Sequence, residues 1–388
     1  MSQQLLEETD QQRLALLIQE SQKISSSLEL EEISVKGYEK VLKVVDKKAD
    51  LTAIIAIHSL NLGPALGGIR IQAYSSFNEA LEDVLRLSRG MTYKAAISEV
   101  GFGGGKSVII ADPKKHKTPE MLLSFGKAVD TLGGAYICAE DVGCTTNDVK
   151  IVRHATKYVV GLSQSNSSGD PGPFTAWGVY RGIQSVVKKL FGSECLSGIT
   201  VAIQGLGNVG APLAEFLFWA GAKMIFADTD TAKAKRLAEK YGAKVVSIEE
   251  ILKVECDVFS PCALGGVLNE WTIPQFKCRG IAGSANNQLL HDTDAKSLVE
   301  KGILYAPDFV INAGGLLNVA AELEDEGYHP SAPRFKIHHI YDTLLAIYEI
   351  AEKNQDSTHN AALALADYRI KYGIGKRTIS PRFHHNAE

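Results

Sequence analysis

Along the chain, the first clear hydrophobic signal is LTAIIAIHSL at residues 51–60, apolar on both alternating faces, which predicts a buried strand. The period then changes. From Ser76 to Arg89 the apolar positions Ala80, Leu81, Val84, Leu85 and Leu87 fall near one face of a helix. SVIIADP (107–113) predicts a strand and turn, and Thr118 to Leu132 a second helix. GGAYICAEDVG (133–143) reads as a strand running into a loop rich in functional groups. Ahead of these, the first 30 or so residues read as a polar, amphipathic helical appendage ending at Ser25 to Ser27.

A second regime begins near Ser168, where SSGDPGP has the composition of a loop. Thr175 to Phe191 predicts a helix, LSGITVAIQG a turn and strand, and the alternation continues to about Val310. Strands alternating with helices imply a parallel sheet covered on both faces. From Arg334 onward the pattern is helical, in IYDTLLAIYEIAEK and NAALALADYRI. The simplest arrangement is α/β, with two domains and C-terminal helices that return to the first.

Composition narrows the class. A chain of 388 residues, 45% hydrophobic and 22% charged, is expected to form two or three soluble domains. The net charge of −4 offers no attraction to nucleic acid or an anionic membrane. No apolar run reaches the roughly 20 residues of a membrane span. The start, MSQQLLEETDQQ, lacks the features of a secretory signal, so a cytoplasmic location is expected. None of the six cysteines forms a C-x-x-C pair, and the paired histidines lack ligand spacing, so no metal site is expected.

One segment carries chemistry in its order of residues. In ITVAIQGLGNVG an apolar strand enters Gly205, Gly207 and Gly210, which fit G-x-G-x-x-G, and a helical pattern follows. Such a turn brings backbone N–H groups and a helix N-terminus against a pyrophosphate. The next strand, MIFAD, ends in Asp228, about 20 residues on, where a carboxylate accepts from the ribose hydroxyls and repels a 2′-phosphate. This predicts a Rossmann-type domain preferring NAD, although Asp230 competes for the acidic role. Two lysines stand in suggestive settings, Lys94 in RGMTYK and Lys106 in GFGGGKS. A strand follows Lys106 and the glycine spacing is wrong for a P-loop.

The motifs LGPALGGIR (62–70), RGMTYK (89–94), GGGKSVI (103–109), AEDVG (139–143), SGDPGPFTAWGVYRG (168–182), GLGNVG (205–210), PCALGG (261–266), IAGSANNQL (281–289) and YAPDFVINAGG (305–315) occur in one order. In this the chain resembles the Glu/Leu/Phe/Val amino-acid dehydrogenase family, most of all its leucine-type branch, from about Leu51 to the C-terminus. The resemblance implies that Lys94 pairs with the substrate α-carboxylate, that Lys106 is the catalytic lysine and that Asp141 exchanges a proton at the amino group. It places Gly67 and Asn312 at the substrate, and Thr175, Asn208, Val209, Ala263 and Asn286 with the glycines at the cofactor. Hydride leaves Cα for the nicotinamide, water activated by Lys106 adds to the iminium, and the product collapses to a 2-oxo acid and ammonia. A lysine in that role must give up its proton, which burial beside a cation such as Lys94 favours.

The implied domains are an N-terminal extension (1–40), a substrate and oligomerisation domain (41–173 with 350–388) and an NAD-binding domain (174–349), in a homo-oligomer. Family members that act on glutamate carry lysine where this chain has Leu66, and a buried leucine cannot compensate an anionic side chain. By the same positional reading Met91, Ala139, Leu316 and Val319 complete an apolar pocket. Ala139 matches the leucine type, whereas Leu316 is one methylene larger and resembles the phenylalanine type. The expected reaction is NAD-dependent deamination of leucine and other branched-chain L-amino acids. An aromatic substrate is the alternative, and a cofactor-binding protein without turnover is a third reading, against which Lys94, Lys106 and Asp141 together weigh.

Overall fold

The computed structural model describes residues 27–162 and 167–384. Two compact units emerge: Met1–Gly169 with Glu322–Gly327 and Gly373–Glu388, and Asp170–Ala321 with Tyr328–Tyr372. Both are α/β. The helix expected over the first 30 or so residues lies outside the described residues as far as residue 26.

The first unit is built on strands β1 (Leu28–Glu32), β2 (Lys40–Asp46), β3 (Leu51–Ser59), β4 (Ala65–Gln72), β5 (Gly103–Ile110) and β6 (Tyr136–Glu140). They form one sheet in the order β1-β2-β3-β5-β4-β6. Pairing is antiparallel from β1 to β5 and parallel from β5 through β4 to β6. Helix α1 (Phe77–Ile97) covers one face, where Ala80 and Val84 pack on Val41, Ile54, Ala56 and Val108. Helices α2 (Pro119–Asp130) and α3 (Thr146–Arg153) cover the other, with Met121, Phe125, Val149 and Val152 against Ile55, Ile57, Ile69 and Ile109. β3 is therefore buried on both sides, as its unbroken apolar run predicts. Each helix has a side-chain cap: Ser76, Thr118 and Thr145 accept from Glu79, Met121 and Asp148 N–H, each bond typically contributing about 1 kcal/mol.

Three sequence expectations need correction here. The segment up to residue 40 is not an appendage throughout, because β1 pairs along its whole length with β2. And the strand expected from Ser107 begins at Gly103, which puts Lys106 inside β5 rather than before it. Helix α1 likewise runs on past Arg89 to Ile97, so Met91 and Lys94 are helical.

In the second unit helix α4 (Gly172–Phe191) leads into β7 (Thr200–Gln204), α5 (Gly210–Trp219), β8 (Lys223–Ala227), α6 (Thr231–Tyr241) and β9 (Lys244–Val245). Strands β10 (Val258–Pro261), β11 (Gly280–Ile281) and β12 (Leu304–Tyr305) complete a sheet in the order β12-β11-β10-β7-β8-β9. Every pairing is parallel, as the alternation of strand and helix predicts. Helix α7 (Asp294–Glu300) precedes β12, and α8 (Asp308–Ile311), α9 (Gly314–Ala320), α10 (Ser331–Asn354) and α11 (Thr358–Tyr372) follow it.

The boundaries expected at 173 and 350 differ from those of the compact units. Helices α10 and α11 group with the second unit, because their apolar faces find partners there. Ile340, Leu344, Ile347 and Tyr348 of α10 are buried, Tyr348 OH meets Ser185 Oγ of α4 at 3.2 Å, and Lys189 pairs with Glu352 at 2.7 Å. Thr358 Oγ1 at the start of α11 donates to Tyr305 O of β12 at 2.6 Å. The part of the C-terminus grouped with the first unit is the chain beyond Tyr372, where Arg377 donates its backbone N–H to Leu62 O at 2.9 Å.

Candidate active site

Alternation along β4 puts Leu66, Gly68 and Arg70 on one face of the first sheet, the face that α1 covers. Lys106 of β5 shares it, because Gly104 and Val108, two residues to either side, both pack toward α1. The backbone turns out of β6 at Asp141, and its carboxylate reaches back over β4. Lys106 Nζ lies 3.1 Å from Asp141 Oδ2, and Lys106 is only 6% exposed. Two residues distant in sequence thus form a buried ion pair, held over Gly68, which on this face of β4 has no side chain to obstruct it. A Cβ on Gly68 would sit 3.0 Å from Lys106 Nζ and 2.7 Å from Asp141 Cβ.

Sequence reasoning did not single out the third member of this group. Arg70 Nε also binds Asp141 Oδ2, at 2.9 Å, while its Nη1 holds Asp83 Oδ2 of α1 at 3.0 Å. Asp83 Oδ2 further accepts from Tyr74 OH at 2.8 Å. Burial pushes the Asp141 carboxyl up, but the charges of Lys106 and Arg70 and their hydrogen bonds outweigh it and hold the group below the usual carboxylate range. Asp83 follows the same pattern, with burial opposed by Tyr74, Arg86 and Arg70. Burial works against the Arg70 charge too, and the two carboxylates more than restore it. The signal for Arg70 was present in GGIR, two residues beyond Gly68 and so on the same face.

The remaining sequence candidates of this unit lie on β4, β6 and α1. Leu66 is 2% exposed, on the same face of β4. Gly67 is buried in β4 and its carbonyl accepts from Tyr136 OH at 3.1 Å, on the side away from α1. Ala139 is half-buried on β6, opposite Gly68 in register. Met91 and Lys94 are half-buried on α1.

In the second unit the glycine-rich turn joins β7 to α5 as expected. Gly205 has φ +94°, a left-handed conformation that favours glycine, and a Cβ there would meet Ala263 Cβ at 2.8 Å. Gly210 lets α5 start against the turn, since a Cβ on it would lie 2.0 Å from Gly205 O. No side chain caps α5, whose N-cap is Val209. The space that a Cβ of Gly207 would fill is open, and Asn208 beside it is exposed. An uncapped helix start behind an open glycine turn fits a dinucleotide's phosphates.

Asp228 stands at the end of β8, where its Oδ2 accepts from Leu206 N–H at 2.6 Å, within the turn. Asp230 has other work: it is the N-cap of α6 and accepts from Lys233 N–H at 2.9 Å. Of the two acids, Asp228 is the one tied to the glycine turn.

The two asparagines come together, with Asn312 Nδ2 donating to Asn286 Oδ1 at 2.7 Å and to Ser284 O at 3.1 Å. Asn312 Oδ1 is buried without a protein partner, which leaves an acceptor for a ligand. Gln288, which sequence reasoning passed over, is fully buried and ties its loop through Gly283 O and Ala285 O at 2.8 and 3.1 Å. Thr175 Oγ1 donates to Pro171 O at 3.0 Å and faces Gly315, while Leu316 and Val319 follow on α9, buried and half-buried. Among the described residues no helix is long and apolar enough to cross a membrane.

Comparison with known proteins bears on both units. Residues 38–158 match the Glu/Leu/Phe/Val dehydrogenase dimerisation domain, and residues 225–371 match the glutamate/leucine/phenylalanine/valine dehydrogenase domain. The chain is 50% identical to a leucine dehydrogenase of Geobacillus stearothermophilus over 335 residues, 86% of this chain and 91% of that one. It is 44% identical to a phenylalanine dehydrogenase of Thermoactinomyces intermedius over 338 residues, 86% of this chain and 92% of that one. The crystal structure of L-tryptophan dehydrogenase from Nostoc punctiforme superposes with a TM-score of 0.77 at 45% identity, covering 88% of this chain and 97% of that one. The chain belongs to the Glu/Leu/Phe/Val dehydrogenase family, and it is an amino-acid dehydrogenase of the subgroup that holds the leucine, phenylalanine and tryptophan enzymes, a family that uses NAD or NADP.

Proposed function

We propose that the protein catalyses the reversible, NAD-dependent oxidative deamination of L-leucine and other branched-chain L-amino acids, giving 2-oxo acids and ammonia. The buried contact between Lys106 and Asp141 carries this reading, since it sets a lysine and a carboxylate 3.1 Å apart beside an apolar residue, Leu66. In the proposed reaction Lys94 holds the substrate α-carboxylate. The nicotinamide, when bound, takes the hydride from Cα. Lys106 draws a proton from the water that adds to the iminium carbon, and Asp141 relays that proton to the departing nitrogen. The carbinolamine collapses to the 2-oxo acid as its hydroxyl proton passes to Lys106, and ammonia leaves.

The cofactor reading rests on Asp228, whose carboxylate accepts a turn N–H and adds negative charge where a 2′-phosphate would stand. Gly205, Gly207, Asn208, Val209, Gly210 and Ala263 form the cradle in this reading, with Thr175 and Asn286 toward the nicotinamide. A cytoplasmic homo-oligomer assembled through the first unit completes it, supported by the match to a dimerisation domain.

Leucine is supported by the apolar residues Leu66, Met91 and Ala139 of the first unit, and by the leucine dehydrogenase relative. Leu316 and the phenylalanine and tryptophan relatives favour a second reading, an aromatic L-amino acid. The test is NADH formation at alkaline pH with leucine, valine, isoleucine, phenylalanine, tryptophan and glutamate, repeated with NADP. The highest kcat/KM is expected for leucine with NAD. A higher value for phenylalanine or tryptophan would establish the second reading, and no turnover with any amino acid would defeat both.

A further inference from the structure

The proposed chemistry asks two things of one buried corner. Asp141 must be a carboxylate at the moment when Lys106 gives up a proton to become the base that activates water. Were Lys106 the sole cation on Asp141, its deprotonation would strand a buried anion, which is strongly unfavourable, and the proton would stay with the pair. Arg70 resolves this conflict. Its Nε lies 2.9 Å from the same Oδ2 that Lys106 Nζ approaches at 3.1 Å, and a guanidinium keeps its charge at any working pH. Arg70 is in turn anchored through Nη1 to Asp83 Oδ2 at 3.0 Å, and both side chains are 16% exposed.

We propose that Arg70 is a positioning residue, the fixed counter-ion that keeps Asp141 ionised while Lys106 gives up its proton, and that Asp83 balances and aims it. This rests on the roles given to Lys106 and Asp141 above. Both cations end on Oδ2, so Oδ1 is the oxygen that exchanges a proton with the substrate nitrogen. The geometry suits arginine, because the planar guanidinium fixes the directions of Nε and Nη1 toward two carboxylates on different elements.

Other charged and titratable groups share the surroundings. α1 brings Arg86, which pairs with Asp83 Oδ1 at 3.0 Å, and Lys94, and β3 brings His58, whose Nδ1 meets Thr92 Oγ1 at 2.9 Å. Behind β4 stands Tyr74, on Asp83. β6 and its turn bring Tyr136, Glu140, which accepts from Thr146 Oγ1 at 2.7 Å, and the thiols Cys138 and Cys144, both raised by burial. Of these groups, Arg70 and Lys106 hold Asp141 at ion-pair distance.

The experiment is the pH dependence of kcat/KM for amino-acid oxidation in Arg70→Met, Arg70→Lys and Asp83→Asn, each checked for folding by its thermal transition and for NADH binding. Removing the Arg70 charge makes the Lys106 proton harder to lose, so the rising limb in Arg70→Met moves to higher pH by about one unit or more. Arg70→Lys recovers part of that shift at a lower kcat, since it returns the charge without the fork. Asp83→Asn removes the anion that offsets Arg70 and moves the limb to lower pH. These opposite directions are the signature, because damage to the fold would not shift the two limbs in opposite senses. An unmoved limb in Arg70→Met overturns the proposal. Should that variant fail to fold, Asp83→Asn decides alone, a downward shift supporting the proposal and no shift overturning it. Lys106→Ala separates the two levels of argument: turnover retained there would defeat the underlying roles, whereas turnover lost there with unmoved limbs in the other variants defeats the counter-ion alone.

Discussion

Gly68 and Lys106 face each other from neighbouring strands so closely that a methyl group on Gly68 would stand 3.0 Å from Lys106 Nζ. The same methyl would lie 2.8 Å from Glu140 O and 2.7 Å from Asp141 Cβ. Lys106 can swing aside, but the backbone oxygen cannot, so the ion pair with Asp141 is what gives way. Gly68→Ala is therefore expected to fold and to lose kcat on the order of 100-fold, the scale of a misplaced reacting group. Steady-state kinetics beside circular dichroism checks this, and a near-normal kcat would show that the placement of Lys106 does not matter.

The two acids after β8 make different contacts, Asp228 with the glycine turn and Asp230 as the cap of α6. Asp228→Asn keeps an acceptor for Leu206 N–H and removes the charge, so kcat/KM with NADP should rise roughly tenfold relative to NAD. Asp230→Ala should leave that ratio alone and cost about 1 kcal/mol of stability through the lost cap of α6. Parallel assays with both cofactors and urea unfolding distinguish them. An altered cofactor ratio in the Asp230 variant would reverse the assignment.

Leu316→Val removes one methylene from the side chain that departs from the leucine pattern. If Leu316 lines the pocket, the ratio of phenylalanine to leucine kcat/KM should change by roughly tenfold, the size of a one-methylene effect. A ratio identical to that of the unmutated enzyme would return Leu316 to the core of the second unit.

Asp83 and Asp141 have folded proton affinities below those of an unfolded aspartate, because Arg70, Lys106, Tyr74 and Arg86 offset their burial. Carboxyls held low contribute stability above the unfolded value, about 3.9, and that contribution fades as pH falls toward the folded value. The urea midpoint should thus drop as pH falls from about 5 to 3, and Asp83→Asn should be less stable at pH 7 with a shallower acid fall. An acid dependence unchanged in Asp83→Asn would mean that this pair adds nothing to the linkage.

Much of the second unit was legible in the sequence. The strand, glycine turn, helix and acidic strand end between Ile199 and Asp228 are local, and each step follows from residues a few positions apart. Periodicity also identified β3 and the start of α1. Resemblance to a family, more than periodicity, singled out Lys94, Lys106 and Asp141.

By itself the sequence determined which segments alternate with period two or near four, where glycines permit a turn, and hence an α/β class with a dinucleotide cradle. The tertiary structure decided which strands are neighbours. Arg70 and Asp141 are 71 residues apart, and they meet because the sheet order β5-β4-β6 sets β6 directly beside β4 although β5 lies between them in the chain. It also decided where α10 and α11 belong, because an amphipathic helix shows that it has an apolar face but not which surface will cover it. Alternation states that a side chain faces up or down, and strand order states what stands beside it, so GGIR could put Arg70 on the face of Gly68 while only the fold could bring Asp141 and Asp83 to it.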